Sequence, residues 1–183
     1  MPLHENSKAT LADWEALGED VQAELIDGEI YDMAGPSANH QAISVFLTTE
    51  IGIFLRGKRC RCFAAPFDVY LQHEGDDTPN IVQPDLMVIC DRDKITKKGC
   101  IGAPDWIIEI VSPGTARRDY LTKLTLYAEH GVSEYWIVNP DREAVLVYHL
   151  DQDLMPETYT FRDTIPVHTL ANLSIDLTQL ELE

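Results

Sequence analysis

Several features that would decide a protein's class at once are missing from this chain. In 183 residues no apolar run is long enough to span a membrane, and the first residues carry no signal-peptide pattern. A cytoplasmic location without membrane attachment is therefore the expectation. The glycines form neither a dinucleotide-binding nor a P-loop pattern, and Ser112 lacks the G-x-S-x-G surround of a serine hydrolase. Histidines at 4, 40, 73, 130, 149 and 168 make no HExxH pair. Cysteine is scarce, with four copies and no CxxC spacing. Cys60 and Cys62 alternate along an expected strand while Cys90 and Cys100 lie far off, which excludes a paired zinc framework and predicts four reduced thiols.

Positive charge is scarce too. Fourteen Lys and Arg stand against 31 Asp and Glu, for a net charge of −17. Affinity for phosphate rests on Lys and Arg, so the total argues against a nucleic-acid binder. The distribution qualifies that. Residues 56–123 hold eleven of the fourteen basic residues against ten acids, a balance of +1, and the remainder of the chain carries −18. The flanking acids read as a solubilising shell around a nearly neutral middle.

That middle contains the stretch on which the chain is organised, Pro104-Asp105-Trp106-Ile107-Ile108-Glu109-Ile110-Val111-Ser112-Pro113. An apolar, β-branched run between prolines predicts a strand buried on both faces. Glu109 is the exception, and an isolated carboxylate there is costly to desolvate without a cation, a metal or a raised pKa. Gln83-Pro84-Asp85-Leu86-Met87-Val88-Ile89 predicts a second apolar strand with an acid at its start, and Asp119 and Lys123 lie one turn apart on a predicted helix. Asp85 and Glu109 on neighbouring strands are candidate ligands for a hard divalent cation, which takes one or two protein carboxylates, and Lys123 is a candidate to assist attack by water. The residues read equally well as a Glu109–Lys123 ion pair that anchors a helix to a sheet, or as an Asp119–Lys123 pair on a solvated face.

Read in order, residues 1–9 form a loose arm and Thr10 caps a short helix ending near Gly18. Asp27-Gly28 between alternating runs predicts a tight hairpin, with Glu24 and Glu29 as candidates for its solvent face. A helical period runs from His40 to about Arg56. Strands are expected over Arg59–Ala65 and Phe67–Gln72, then an exposed loop from His73 to Asn80, then the Asp85 and Glu109 strands. Thr115 to Glu129 predicts a helix stopped by Gly131, followed by strands at Glu134–Asn139 and Ala144–Leu150 and short strands to the end. Strands interleaved with two substantial helices predict one domain over 1–183, of class α/β or α+β with a mixed sheet.

These residues also resemble a known family. Gln83-Pro84-Asp85, Glu109-Ile110-Val111-Ser112-Pro113, Arg118-Asp119-Tyr120-Leu121-Thr122-Lys123, Tyr127 and Gly131 to Pro140 are similar to the Uma family of restriction-endonuclease-like proteins. So are Glu24 to Ile30 and Pro36-Ser37-Ala38-Asn39-His40. The resemblance implies the PD-(D/E)xK nuclease superfamily: a mixed central β-sheet flanked by helices, with an N-terminal β-hairpin. It implies Asp85 and Glu109 as ligands of Mg²⁺ or Mn²⁺, DNA as substrate, and Lys123 as a motif lysine moved to the following helix, since Val111 stands two positions after Glu109. Glu24, His40 and Gln83 are candidate accessory residues, and a homodimer stays open. The rival readings are a catalytically silent nuclease fold acting as a binding or regulatory protein, and a hydrolase of a smaller phosphoester.

Overall fold

A computed structural model of the chain describes residues 8–18, 21–33, 35–152 and 155–182. Most of the expected N-terminal arm, residues 1–7, lies outside the described residues; next to it, the Ala9 amide donates to Gly28 O at 2.8 Å. In chain order the elements begin with α1 (Leu11–Glu15), β1 (Ala23–Ile26), β2 (Glu29–Asp32), α2 (Ala38–Leu55), β3 (Arg61–Ala64) and β4 (Val69–Leu71). There follow β5 (Asn80–Val82), β6 (Leu86–Ile89), β7 (Cys100–Ile101), β8 (Trp106–Ile110), a π-helical turn (Arg118–Lys123) and α3 (Leu124–His130). The chain finishes with β9 (Glu134–Asn139), β10 (Ala144–His149), β11 (Glu157–Thr160), β12 (Thr164–Pro166) and β13 (Ser174–Asp176).

A six-stranded sheet in the order β11-β10-β9-β8-β6-β3 forms the centre, and it is mixed: β8 runs parallel to β9 and antiparallel to β6. Parallel neighbours need a crossover, which the helical segment through α3 supplies. Gly131, in the left-handed region at φ +85°, ends α3 and turns the chain into β9. The second sheet, β2-β1-β5-β4-β7, contains the N-terminal hairpin, whose turn residues Asp27 and Gly28 both have positive φ, as a tight hairpin requires.

Strand alternation divides the core into two layers. On one face of the central sheet Leu86, Val88, Trp106, Ile108 and Ile110 meet Ile43, Leu47, Ile51 and Leu55 of α2, spaced four apart along the helix. Each such side chain contributes about 1.5–3 kcal/mol on burial. On the other face Met87, Ile89, Ile107 and Val111 meet the second sheet and Tyr127 of α3. Glu109 shares the parity of Ile107 and Val111, so its carboxylate enters this second layer.

Three expectations need correction. The Asp85 strand is shorter than expected: β6 starts at Leu86 rather than Gln83, after Pro84, which has no amide hydrogen for a ladder, and a separate strand in the second sheet, β5, precedes it. The cysteines are not four reduced thiols. Cys60 and Cys90 form a disulfide, because the β3–β6 register places Arg61 against Ile89 and hence Cys60 opposite Cys90, while Cys62 and Cys100 are free. Finally, Glu24 is 1% exposed rather than on a solvent face, whereas Glu29 is exposed as expected.

A second acid is fully buried. Glu134 accepts hydrogen bonds from Trp136 Nε1 at 2.7 Å, His168 N at 3.2 Å and Thr169 N at 2.7 Å, tying the C-terminal segment to the sheet. Glu134→Ala leaves the buried Trp136 Nε1 and two part-buried backbone amides without their acceptor and is expected to cost about 1–3 kcal/mol in urea unfolding. A loss below about 1 kcal/mol would show that water replaces the carboxylate.

Candidate active site

The β6–β8 register pairs Leu86 with Ile108, so one step further Asp85 stands opposite Glu109. Opposed residues point to the same face. Asp85 Oδ2 accepts from Ile110 N at 2.7 Å, which locks the acid onto the end of the neighbouring strand. Its other oxygen, Oδ1, lies 3.0 Å from His40 Nε2. His40 sits in the first turn of α2, where Ser37 caps the helix by accepting from His40 N at 3.2 Å. Its Nδ1 is buried and has no hydrogen-bond partner among the described residues.

Lys123 supplies the centre of the cluster. It is 3% exposed, and its Nζ lies 2.7 Å from Glu109 Oε1, 2.7 Å from Glu24 Oε1 and 3.8 Å from Asp119 Oδ1. The Asp119–Lys123 pair is therefore interior, not on a solvated face. Asp119, Lys123 and Tyr127 are all buried along one side of this helical segment. In a pure α-helix residues four apart drift by about 40° per step. The π-helical turn from Arg118 to Lys123 is wider, which keeps the three side chains closer to one column.

Glu24 reaches the cluster from β1. Its Oε2 lies 3.2 Å from Arg118 Nη1, and its Oε1 also accepts from Gln83 N at 3.0 Å. Gln83 donates from Nε2 to Asp68 Oδ1 at 2.7 Å, and its own Oε1 is a buried acceptor with no partner among the described residues. All six residues singled out from the sequence thus meet here, in contact either with Asp85 or with the Glu24–Lys123 pair. Sequence reasoning missed two direct participants. Tyr127 donates from its hydroxyl to Glu109 Oε1 at 2.8 Å, and Arg118, stacked 4.1 Å above the Tyr31 ring, pairs with Glu24. Both stand in the Uma-like motifs, and the four-residue step from Lys123 to Tyr127 was a further signal for the first, but neither was assigned a role at the site.

The charges do not balance. Glu24, Glu109 and Asp119 surround Lys123, Glu24 also pairs with Arg118, and Asp85, paired with His40, adds to the negative field on Glu109. Burial holds the Glu109 carboxyl well above its ordinary value of 4.5, with Lys123 opposing and the other three acids reinforcing. Burial likewise raises Asp119 above 3.8, again against the pull of Lys123. Burial disfavours the charge on Lys123, but Glu109, Glu24 and Asp119 outweigh it and raise its pKa, so the ammonium persists. Among the described residues no group of three or more His, Cys, Asp or Glu forms a ready-made metal cage. Two carboxylates suffice for Mg²⁺, which keeps several waters. Asp85 and Glu109 fit that ion chemically: both offer hard oxygen, and in Glu109, whose Oε1 already accepts from Lys123 and Tyr127, the second oxygen Oε2 is the one to offer.

Comparisons with known proteins give the family and the fold. The Uma2 family, described as "Putative restriction endonuclease", matches residues 9–178, and the chain belongs to that family. A crystal structure of a "putative nuclease belonging to DUF820" from Anabaena variabilis superimposes with a TM-score of 0.74 at 28% identity, covering 92% of this chain and 96% of that one. Among curated proteins the chain is similar to uncharacterized protein slr1290 of Synechocystis sp., 31% identical over 71% of this chain and 67% of that protein. It is also 26% identical to uncharacterized protein sll1609 of the same organism, over 58% of this chain and 59% of that protein.

The raised carboxyls make stability depend on pH with a definite sign. Glu109 and Asp119 keep protons when folded that they lose when unfolded, so their stabilising contribution is full below about pH 4 and declines as pH rises towards their folded values. Urea unfolding in chelator should therefore show stability falling as pH rises above the ordinary carboxylate range, and Glu109→Gln should flatten that slope whatever it does to the absolute level. An identical slope in wild type and Glu109→Gln would mean that Glu109 is ionised throughout.

Proposed function

We propose that the chain is a divalent-metal-dependent nuclease that hydrolyses DNA phosphodiester bonds. The observation that carries this reading is a surplus of carboxylate, three buried acids with the part-exposed Asp85 beside them against two permanent cations, in a fold shared with a putative nuclease. Asp85 and Glu109 would hold Mg²⁺ or Mn²⁺. A bound divalent cation supplies positive charge that offsets the surplus, acidifies water and shields charge developing on a phosphate.

The remaining roles follow from what each side chain can do. Lys123 stays protonated, so it serves as a fixed positive charge towards the attacked phosphate and not as a general base. Glu24 and Asp119 hold that ammonium in place from two sides. Tyr127, whose hydroxyl burial and Glu109 keep protonated, donates to Glu109 and fixes its orientation. His40 bonds the outer oxygen of Asp85 and orients it, while Ile110 N fixes the inner one. The second reading, a silent fold in which Lys123 is a strut, draws on the same short contacts, because Lys123 bridges Glu24 and Glu109 at 2.7 Å with no exogenous group.

Turnover and melting temperature measured on the same variants separate the two. Lys123→Met keeps most of the stem packing and removes the charge. With Mg²⁺ or Mn²⁺ and plasmid or single-stranded DNA, it is expected to lose about 10²–10³-fold in cleavage rate, as is Asp85→Ala. Wild-type protein that cleaves neither DNA, together with a steep melting-temperature loss in Lys123→Met, would establish the strut. Hydrolysis of bis(p-nitrophenyl) phosphate without DNA cleavage would redirect the reading to a smaller phosphoester.

A further inference from the structure

The other end of β6, together with its neighbour β3, carries a second, opposite charge arrangement. Arg56 and Lys58 follow α2, Arg59 and Arg61 enter β3, and Arg92 follows β6; all five are exposed. The β3–β6 register and the Cys60–Cys90 disulfide bring these segments together, and Arg92 Nε donates to Arg59 O at 2.9 Å. Two surface depressions flank Arg61. One of about 280 Å³ is lined in part by Arg56, Gly57 and Cys62, the other of about 340 Å³ by Phe63, Arg92 and Ile95.

Acids outnumber bases more than two to one in this chain, so an exposed cation would ordinarily find a carboxylate. Among the described residues, however, the Lys and Arg ion pairs involve only Lys98, Arg118 and Lys123. The five cations pair with none. Lys58 Nζ rests 2.9 Å above the Phe54 ring, and Arg61 Nη1 donates to the carbonyls of Lys58 and Cys60, which leaves its further N–H groups unused. Charge on an edge strand also blocks unwanted strand pairing. That accounts for Arg61, on β3 at the sheet edge, but not for Arg56, Lys58, Arg59 and Arg92, which lie off the strand.

We propose that this basic sheet edge is a docking surface for the phosphodiester backbone of a nucleic-acid strand. Arg61 stands opposite Ile89, four residues along β6 from Asp85, or about 13 Å at strand spacing. The surface is thus separate from the carboxylate cluster yet joined to it through β6. Phe63, whose ring stacks on Phe67 at 4.4 Å, lines the depression between Arg61 and Arg92 and offers an aromatic surface beside the cations. The inference deepens the nuclease reading by naming where its substrate is held, but it stands on the unpaired cations and not on catalysis.

The test is fluorescence anisotropy in chelator, with labelled single-stranded and duplex oligonucleotides titrated across a salt series, so that no cleavage contributes. Two variants are used: Arg56→Ala/Arg59→Ala, whose side chains make no hydrogen bond among the described residues, and Arg61→Ala/Arg92→Ala. Arg142→Ala/Arg162→Ala, on exposed arginines elsewhere, is the control. Each patch variant is expected to weaken binding at least about tenfold at low salt and to reduce the slope of log affinity against log salt by about 1–2, the control leaving both unchanged. Absent binding by the wild type, or patch variants that match it in affinity and slope, would overturn the proposal. Binding of this kind without metal-dependent cleavage would uphold the surface and sink the nuclease reading; cleavage with unaltered binding in the patch variants would do the reverse.

Discussion

The ammonium of Lys123, buried between Glu24 and Glu109, is the interaction on which the rest of this structure depends. A lysine that is 3% exposed needs carboxylates around it, and each comes from a different element: Glu24 from β1, Glu109 from β8, and Asp119 from the π-helical turn. One charge thereby joins the N-terminal hairpin, the central sheet and the crossover helix. The joint also fixes the chemistry, because holding a single lysine required more acids than the lysine can neutralise.

Buried carboxylate surplus has two physical outlets, protonation or a bound cation. In isolation the cluster takes the first, with Glu109 and Asp119 pushed upward by burial. Asp85 sits at the open side of the cluster, 13% exposed and oriented by His40 and the Ile110 amide, so it offers the second. The far end of β6, with β3 beside it, carries cations. An acidic cluster and a basic edge coexist in a chain of net charge −17 because register places them at opposite ends of β6.

Much of this was legible in the sequence, for reasons that can be stated residue by residue. Glu109 stood out because an acid in an apolar, β-branched run has a high desolvation cost. Asp27-Gly28 and Gly131 were legible because local backbone geometry demands them. Where the meaning of a residue lay in long-range register, the sequence was silent. Cys90 is 30 positions from Cys60 yet bonded to it, Arg118 reaches Glu24 across 94 positions, and β5 belongs to another sheet than the strand it nearly abuts. Glu24 alternates like a surface residue, and only the packing of β1 beneath the crossover helix reveals it as interior. The Uma-like motifs supplied the order of the acids that periodicity could not.

A divalent cation bound as proposed would displace protons from the cluster. Calorimetric titration of Mn²⁺ into the protein near neutral pH, repeated in buffers of different ionisation enthalpy, measures both binding and proton release. The account predicts one ion per chain, binding accompanied by net release of protons, and loss of both in Glu109→Gln. Absence of Mn²⁺ binding, or binding that releases no proton and survives Glu109→Gln, would contradict it.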